Sequence, residues 1–216
     1  MTRAEKHTRK AAGEDPAKRE QILEGARRVF MKMGYDAASM NDITREAGVS
    51  KGTIYVYFQN KEDLFSALVE EERSRMLATM RVSLRRDIPV AQALQSYGVT
   101  VSRLLGHSNH IRIMRILLGV IDRMPEPSRQ FLSCMPVNSR TILQEYLHQQ
   151  VDAGNMDIED CDLAAQQFVD LATGGLLKKQ LFCQIAHEPE DDEVKRVVSS
   201  AVRLFMAGYG CSKVSE

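Results

Sequence analysis

The side chains best suited to chemistry lie together in one short stretch of the chain. They are Lys51, Gly52, Thr53, Tyr55 and Tyr57. Lysine donates to a guanine edge or a phosphate, threonine offers a hydroxyl and a methyl group, and tyrosine combines a phenolic donor with a flat apolar face. The glycine allows the backbone to come close to a partner. This combination suits contact with the bases and phosphates of a duplex. Packing of both tyrosines beneath a neighbouring helix is the open alternative.

Two short helices joined by a tight turn are predicted to carry these residues. Ser39 and Ser50 each precede a helix and suit its N-cap, and Gly48 suits the left-handed turn that ends the first helix. Apolar residues four positions apart give each helix a buried side, namely Ile43 with Ala47 and Ile54 with Phe58. This is the layout of a helix-turn-helix, whose second helix enters the major groove of B-DNA. Lys61, with the free amides at its helix N-terminus, and Ser39 are predicted to hold phosphates.

Helical patterns continue through the rest of the chain and no strand is indicated, so the predicted fold class is all-α. The first helix covers about residues 17–33 and ends at Gly34, and a long helix runs from Lys61 to about residue 86. Later helices are predicted near residues 90–106, 109–121, 127–153, 160–184 and 190–208. Pro136 is expected to kink or split the third of these. Residues 1–16 are predicted to be a disordered basic arm, with a solvated tail as the alternative.

Composition and charge argue against several classes of function. Basic and acidic side chains are equal in number, 29 of each, but residues 1–61 hold 12 basic and 8 acidic ones, a net charge of +4. A basic first part and an acidic remainder fit a nucleic-acid partner. The polar N-terminus lacks the apolar core of a secretory signal, and no apolar run approaches the ~20 residues that span a bilayer. A cytoplasmic location with no membrane partner is therefore expected.

Motifs of catalysis are also missing from the sequence. We find no nucleophile elbow, phosphate-binding loop, dinucleotide-binding glycine motif or metal-ligand spacing. The glycine pair Gly174-Gly175 lies within a predicted helix and does not follow a strand. The sequence therefore predicts a protein that is not an enzyme and that uses no metal and no cofactor.

Over about residues 18–66 the chain resembles the TetR family of bacterial regulators. The resemblance rests on the run AGVSKGTIYVYFQNKEDLF from Ala47 to Phe65 and on the upstream stretch ILEGARRVF, which begins at Ile22. Thr44 and Val56 depart from the usual pattern, in which alanine and tyrosine are frequent at these positions. The second departure limits a contact at that position to an apolar one, such as a thymine methyl group.

The resemblance implies a dimeric regulator, usually a repressor, that binds a palindromic site on double-stranded DNA. The DNA-binding residues that it implies are Ser39, Lys51, Gly52, Thr53, Tyr55, Tyr57 and Lys61. It also implies a helix-turn-helix domain over residues 17–66 and a helical domain for ligand binding and dimerisation over residues 67–210. Within the second domain, residues 109–208 resemble more loosely the C-terminal domain of repressors of the AcrR/AefR type.

By the same resemblance, the last two helices are expected to form a four-helix interface across a two-fold axis. Residues expected in this homodimer interface are Leu163, Gln167, Leu171, Gly174, Gly175, Val194, Val197, Val198, Ala201, Val202, Leu204 and Phe205. Packing of these residues inside one chain is the alternative.

A pocket for a small-molecule effector is also expected, lined by adaptable apolar and methionine side chains. Its expected lining is Met80, Leu84, Tyr97, Val101, Met114, Leu117, Leu118, Phe131, Met135 and Phe168. An apolar or amphipathic effector would bind there and release the DNA, although each of these residues also suits an ordinary core. Two other functions stay open: a DNA-binding architectural or cell-division factor without an effector, and a helical adaptor that binds proteins.

Overall fold

A computed structural model describes residues 15–122, 136–183 and 187–211. Every regular element in these ranges is an α-helix, and one isolated antiparallel bridge joins Met156 to Gly210. The all-α prediction is thus confirmed. The basic arm predicted over residues 1–16 lies outside the described residues except for its last two positions, and Phe131 and Met135 of the predicted pocket also lie outside them.

The described residues form nine helices, which we number in chain order. The first four are α1 (Pro16–Ala37), α2 (Met40–Ala47), α3 (Lys51–Tyr57) and α4 (Lys61–Ser83). The next five are α5 (Val90–Gly106), α6 (Ser108–Val120), α7 (Pro136–Asp152), α8 (Cys161–Leu181) and α9 (Asp191–Tyr209). None of them is long and apolar enough to cross a membrane.

Gly34 interrupts α1 at the position where the sequence predicts the first helix to end. The helical region runs on to Ala37, but Gly34 itself is non-helical, with φ 78° and ψ 173°. Glycine adopts this conformation because it has no Cβ atom, so it bends the helix where another residue would be strained. Pro136 begins α7, and residues 123–135 before it lie outside the described residues, so the kink or split expected at this proline stays a prediction. Proline suits a first helical turn, where a missing N–H group costs nothing.

The chain divides into two compact units, residues 1–69 and residues 70–216, which we call the head unit and the body unit. In the head unit, α1 crosses α2 at very short range. A Cβ atom on Gly25 would lie 2.6 Å from the Cβ atom of Ala47, so only glycine permits this crossing. Gln21 also donates from Nε2 to the Ala47 carbonyl at 2.7 Å, and this bond satisfies the C-terminal end of α2.

An aromatic cluster closes the other side of the head unit. Phe30 and Phe65 meet edge to face at a centroid distance of 5.2 Å, and Tyr35 lies 5.7 Å from the first ring and 5.1 Å from the second. All three residues are buried. The cluster fixes the start of α4 against the end of α1, because edge-to-face and offset rings pack favourably beyond their buried area.

The body unit is built on α5, α8 and α9, each of which packs against the other two, with α7 against α8 and α6 against α5 and α8. At its centre lies the ring of Phe168, 6.4 Å from the Tyr97 ring and 5.2 Å from the Phe205 ring. A Cβ atom on Gly98 would lie 2.6 Å from Cγ1 of Val198, so α5 and α9 approach closely at that point. This core holds the outer faces of α8 and α9 in place.

Candidate nucleic-acid interface

Side-chain caps define the ends of α2 and α3, as the sequence predicts. Ser39 accepts from the Asp42 amide, and the Asp42 carboxylate accepts in turn from the Ser39 amide, which forms a capping box. Gly48 ends α2 in the left-handed region at φ 64°. The Ser50 hydroxyl accepts from the Thr53 amide at 3.0 Å and caps α3. The turn between α2 and α3 is therefore fixed by local hydrogen bonds and one glycine.

Burial separates α3 into two sides. Ile54 is fully buried, and Phe58, which follows the helix, is also buried. Lys51 and Gly52 are exposed, Tyr55 keeps 46% of its surface exposed and Val56 keeps 50%. An aromatic ring and a branched side chain thus lie next to each other on the surface of a helix of seven residues, where a partner has access to both. We call the exposed side of α3, formed by Lys51, Gly52, Tyr55 and Val56, the recognition face.

The hydroxyl groups of Ser39, Thr53 and Tyr57, three residues of the predicted interface, differ in their hydrogen bonds and their exposure. The Ser39 hydroxyl donates to Oδ2 of Asp42 at 2.5 Å, so its proton is already used within the capping box. The Thr53 and Ser50 hydroxyl oxygens lie 2.7 Å apart in a hydrogen bond. Tyr57 is half-buried. The hydroxyl groups of Ser39 and Thr53 can donate to a nucleotide only if these hydrogen bonds break, although their oxygens can accept a further one. The side chains of the recognition face can meet a nucleotide without breaking a hydrogen bond of this kind.

Lys61 makes contacts that the sequence does not predict. Its ammonium group donates to the carbonyls of Tyr35 at 2.9 Å, Ala38 at 3.0 Å and Asp36 at 3.4 Å. It also lies 4.4 Å from the centroid of the Tyr35 ring, in cation–π contact. The predicted phosphate contact of this residue stays a prediction. A spacing of more than twenty residues between donor and acceptors leaves no pattern in the sequence that would reveal the contact.

A second surface of interest lies on the body unit, on the outer sides of α8 and α9. Its apolar side chains are exposed, and a groove of about 560 Å³ runs beside them, partly lined by Arg196, Ser200 and Arg203. We call it the α8–α9 face; its exposed or half-exposed members are Leu163, Gln167, Leu171, Gly174, Gly175, Val197 and Leu204. A Cβ atom on either glycine would meet nothing within 4 Å, so both leave open space at the surface.

Part of the predicted dimer interface is wrong in its helix register. The residues concerned are Val194, Val198, Ala201, Val202 and Phe205, all of which are buried in the core of their own chain. Helix α9 carries two apolar stripes, and the buried one packs on α5 and α8, as the approach of Val198 to Gly98 shows. The stripe that contains Val197 and Leu204 faces outward and is the only part of the predicted set on α9 that a second chain can reach.

Most of the residues predicted to line an effector pocket are buried, and one of them, Leu118, is exposed. Those buried in the described residues are Met80, Tyr97, Val101, Met114, Leu117 and Phe168, and Leu84 is half-buried. Leu118 is exposed on α6 and does not point into the interior, since Leu117 takes the buried position of that turn. The Tyr97 hydroxyl donates to the Ser139 carbonyl, and burial raises the pKa of Tyr97 well above its usual value.

The described residues contain no group of three or more histidine, cysteine, aspartate or glutamate side chains able to hold a metal ion. His110 is buried on α6, and burial, with a smaller contribution from the charge of His107, lowers its pKa to about 4. It is therefore neutral at physiological pH. Neither surface described above offers a nucleophile with an adjacent base, so both suit binding and not covalent chemistry.

Comparison with known families and proteins agrees with this geometry. The family model described as bacterial regulatory proteins, tetR family, matches residues 22–68, and the model described as AefR-like transcriptional repressor, C-terminal domain, matches residues 92–211. The transcriptional repressor AcnR of Corynebacterium glutamicum is 45% identical over 67 residues, which cover 31% of this chain and 36% of AcnR. The chain thus spans about a third of the length of this curated relative.

Solved structures match over most of the chain. A TetR-family transcriptional regulator from Mesorhizobium loti superimposes with a TM-score of 0.81 at 24% identity, covering 90% of this chain and 98% of that one. The flavonoid-responsive regulator FrrA superimposes with a TM-score of 0.78 at 23% identity, covering 91% and 98%. At these identities the likeness concerns the fold, which extends through both the head unit and the body unit.

Proposed function

Because the chain belongs to the TetR family of bacterial regulatory proteins, we propose that it is a transcriptional repressor that binds double-stranded DNA as a homodimer. The recognition face carries the proposal. Its lysine, tyrosine and valine side chains are exposed on α3, the second helix of a helix-turn-helix, where base contacts are made. We expect no catalytic activity, because the proposed partners are bound and not transformed.

Six of the seven predicted DNA contacts, all except Lys61, divide into residues of the recognition face and residues beside it, and Val56 adds an apolar surface to that face. Lys51 and Tyr55 offer donors at the recognition face, and Gly52 lets the backbone approach a base edge. Val56 offers an apolar surface for a thymine methyl group, which distinguishes T·A from the other pairs in the major groove. Ser39, Thr53 and Tyr57 support the face from its edges through caps and partial burial.

The α8–α9 face supports the proposed homodimer. Exposed leucines beside surface glycines form an apolar patch with small residues, where the helices of a second copy can come close. A two-fold axis would bring the same face of each chain together, so every side chain in it acts twice. Two recognition helices would then reach successive major grooves of a palindromic site.

Release of the DNA by an effector is a further part of the proposal. The regulator FrrA is named as flavonoid-responsive, and SmeT, a repressor of similar fold, has been solved in complex with triclosan. For this chain we propose an apolar or amphipathic small molecule bound in the body unit. Tyr97, Val101 and Phe168, three residues of the predicted lining, are buried in its core, so an effector would have to open the core to reach them. An effector alters DNA binding only if its affinity differs between the DNA-binding state and the released state.

Selection of bound fragments from random DNA, followed by salt titration, tests the DNA-binding proposal. One palindromic consensus is expected, with half-sites about one helical turn apart, and affinity should fall steeply with salt at about 0.9 in slope for each neutralised phosphate. Many unrelated sites would favour an architectural factor. Failure to bind any fragment at low salt would favour a helical adaptor and contradict the proposal.

A further inference from the structure

The ammonium group of Lys61 has all of its donors engaged inside the protein. An ammonium carries three N–H donors, and the carbonyls of Tyr35, Asp36 and Ala38 accept from it at 2.9 to 3.4 Å. The Tyr35 ring, 4.4 Å away, shields one side of the charge. A DNA phosphate would have to displace a carbonyl from this half-buried group.

We propose that Lys61 is a positioning residue of the DNA-binding head, and that its ammonium group holds the end of α1 and the start of α2 and does not neutralise a phosphate. The inference rests on the proposed DNA-binding function and differs from the phosphate contact that family resemblance implies. Its support is the set of four contacts with the end of α1 and its C-cap residue Ala38, which lie more than twenty residues away in the sequence.

The three carbonyls need this partner because of where they lie. They follow Gly34 at the C-terminal end of α1. The last four carbonyls of a helix have no N–H donor from a following turn. A cation at a helix C-terminus also meets the negative end of the helix dipole. Lysine at the start of α4 therefore donates to three backbone carbonyls at once and ties α4 to the end of α1 and the residue that follows it.

The loop held in this way is the one that starts α2. Ala38, whose carbonyl accepts from Lys61, precedes Ser39, the N-cap of α2. Since α2 and α3 are joined by a fixed turn, a displaced start of α2 would move the recognition face as well. The charges near Lys61 also disfavour a phosphate at this position. Glu62 and Asp63 are exposed in the first turn of α4, and their carboxylates would repel a phosphate.

The experiment combines DNA affinity with thermal unfolding in the full chain. Lys61→Met keeps the aliphatic stem and removes charge and donors, Lys61→Arg keeps a cation with donors, and Lys51→Met removes an exposed lysine of the recognition face. The dissociation constant for the selected DNA site is measured by fluorescence anisotropy over a series of KCl concentrations, well below the unfolding temperature. Unfolding without DNA is followed by circular dichroism.

For Lys61→Met we expect an unfolding temperature at least about 3 °C lower, a several-fold weaker affinity and an unchanged slope of affinity against salt. Lys61→Arg should recover most of both losses, and Lys51→Met should weaken binding without changing the unfolding temperature. If Lys61→Met does not fold, Lys61→Gln, which keeps two uncharged donors, replaces it.

Two results would overturn the inference. One is a salt slope reduced by about one with unchanged unfolding, as removal of a phosphate contact produces. The other is an affinity of the Lys61→Met variant for the selected DNA site equal to that of the wild-type chain. Lys61 would then stabilise the fold locally without positioning the recognition face. Absence of DNA binding by the wild-type chain would contradict the proposed function itself, and unchanged unfolding of the variant would still refute the capping contacts.

Discussion

Leu204→Ala is expected to dissociate the proposed homodimer without unfolding the chain. Leu204 lies on the outer stripe of α9, and 58% of its surface is exposed in the single chain. Alanine has the highest helix propensity of all residues, so the substitution leaves α9 intact. Any large effect must then come from contacts that Leu204 makes with another copy.

The size of the effect follows from the exposed area. Removal of three carbons from a fully buried site costs about 2.4 kcal/mol at about 0.8 kcal/mol for each methylene. Because 58% of the side chain remains for a partner to cover, each chain loses about 1.4 kcal/mol. The two-fold axis uses the residue twice, so the dimer loses about 3 kcal/mol. The dimer dissociation constant should therefore rise roughly 100-fold.

Sedimentation equilibrium over a range of protein concentrations measures this constant directly. Val82→Ala is the matched control, because Val82 is an apolar side chain with 80% of its surface exposed on α4, outside the α8–α9 face. The control should leave the dissociation constant unchanged. A change of less than about fivefold for Leu204→Ala, set against the factor of 100 expected for full coverage, would refute the placement of the interface on this face.

Three further predictions concern the recognition face and the core. Tyr55→Ala should weaken binding to the selected DNA site by about 1–3 kcal/mol with no loss of stability, measured by gel shift and thermal unfolding. Gly98→Ala should destabilise the chain by about 1–3 kcal/mol in urea, because the added Cβ would lie 2.6 Å from Val198, while Gly119→Ala, with open space around the new atom, should not destabilise it. Stability should fall as the pH falls from about 6.5 towards 4, because the pKa of buried His110 is about 4 and the unfolded chain binds its proton first; His110→Gln should flatten this dependence.

Each of these predictions has a clear contrary result. Equal affinity of Tyr55→Ala for the selected site would remove the recognition face from DNA binding. Equal stability of the Gly98→Ala and Gly119→Ala variants would contradict the close approach of α5 to α9. An identical pH profile in His110→Gln and the wild-type chain would show that other groups control acid stability, since the linkage requires a pKa that differs between folded and unfolded states.

Much of the head unit could be predicted from the sequence because its signals are local. Ser39 and Ser50 cap helices through amides three residues away, and Gly48 adopts the left-handed conformation that ends α2. Ile43 and Ile54 mark the buried sides at helical spacing, and both are fully buried. Such signals act within one or two helical turns, so a single sequence displays them directly.

The candidate interfaces were less predictable because apolar residues suit both a core and a contact. Val198 and Leu204 both belong to apolar stripes of α9, and from the sequence alone both stripes are expected in the interface. Only the position of α5 and α8 decides that the first is core and the second is surface. A helix with apolar residues on two sides has no internal signal for this choice.

The sequence by itself determined the all-α fold class, the helix-turn-helix and the recognition face, because caps, turn glycines and helical periodicity act between near neighbours. Tertiary structure alone decided what Lys61 holds and which stripe of α9 stays free. The Lys61 ammonium donates to the carbonyls of Tyr35 and Ala38, more than twenty residues away in the sequence. The burial of Val198 depends on α5, a helix about a hundred residues away. Contacts over such distances arise only when separate helices pack, so no local pattern records them.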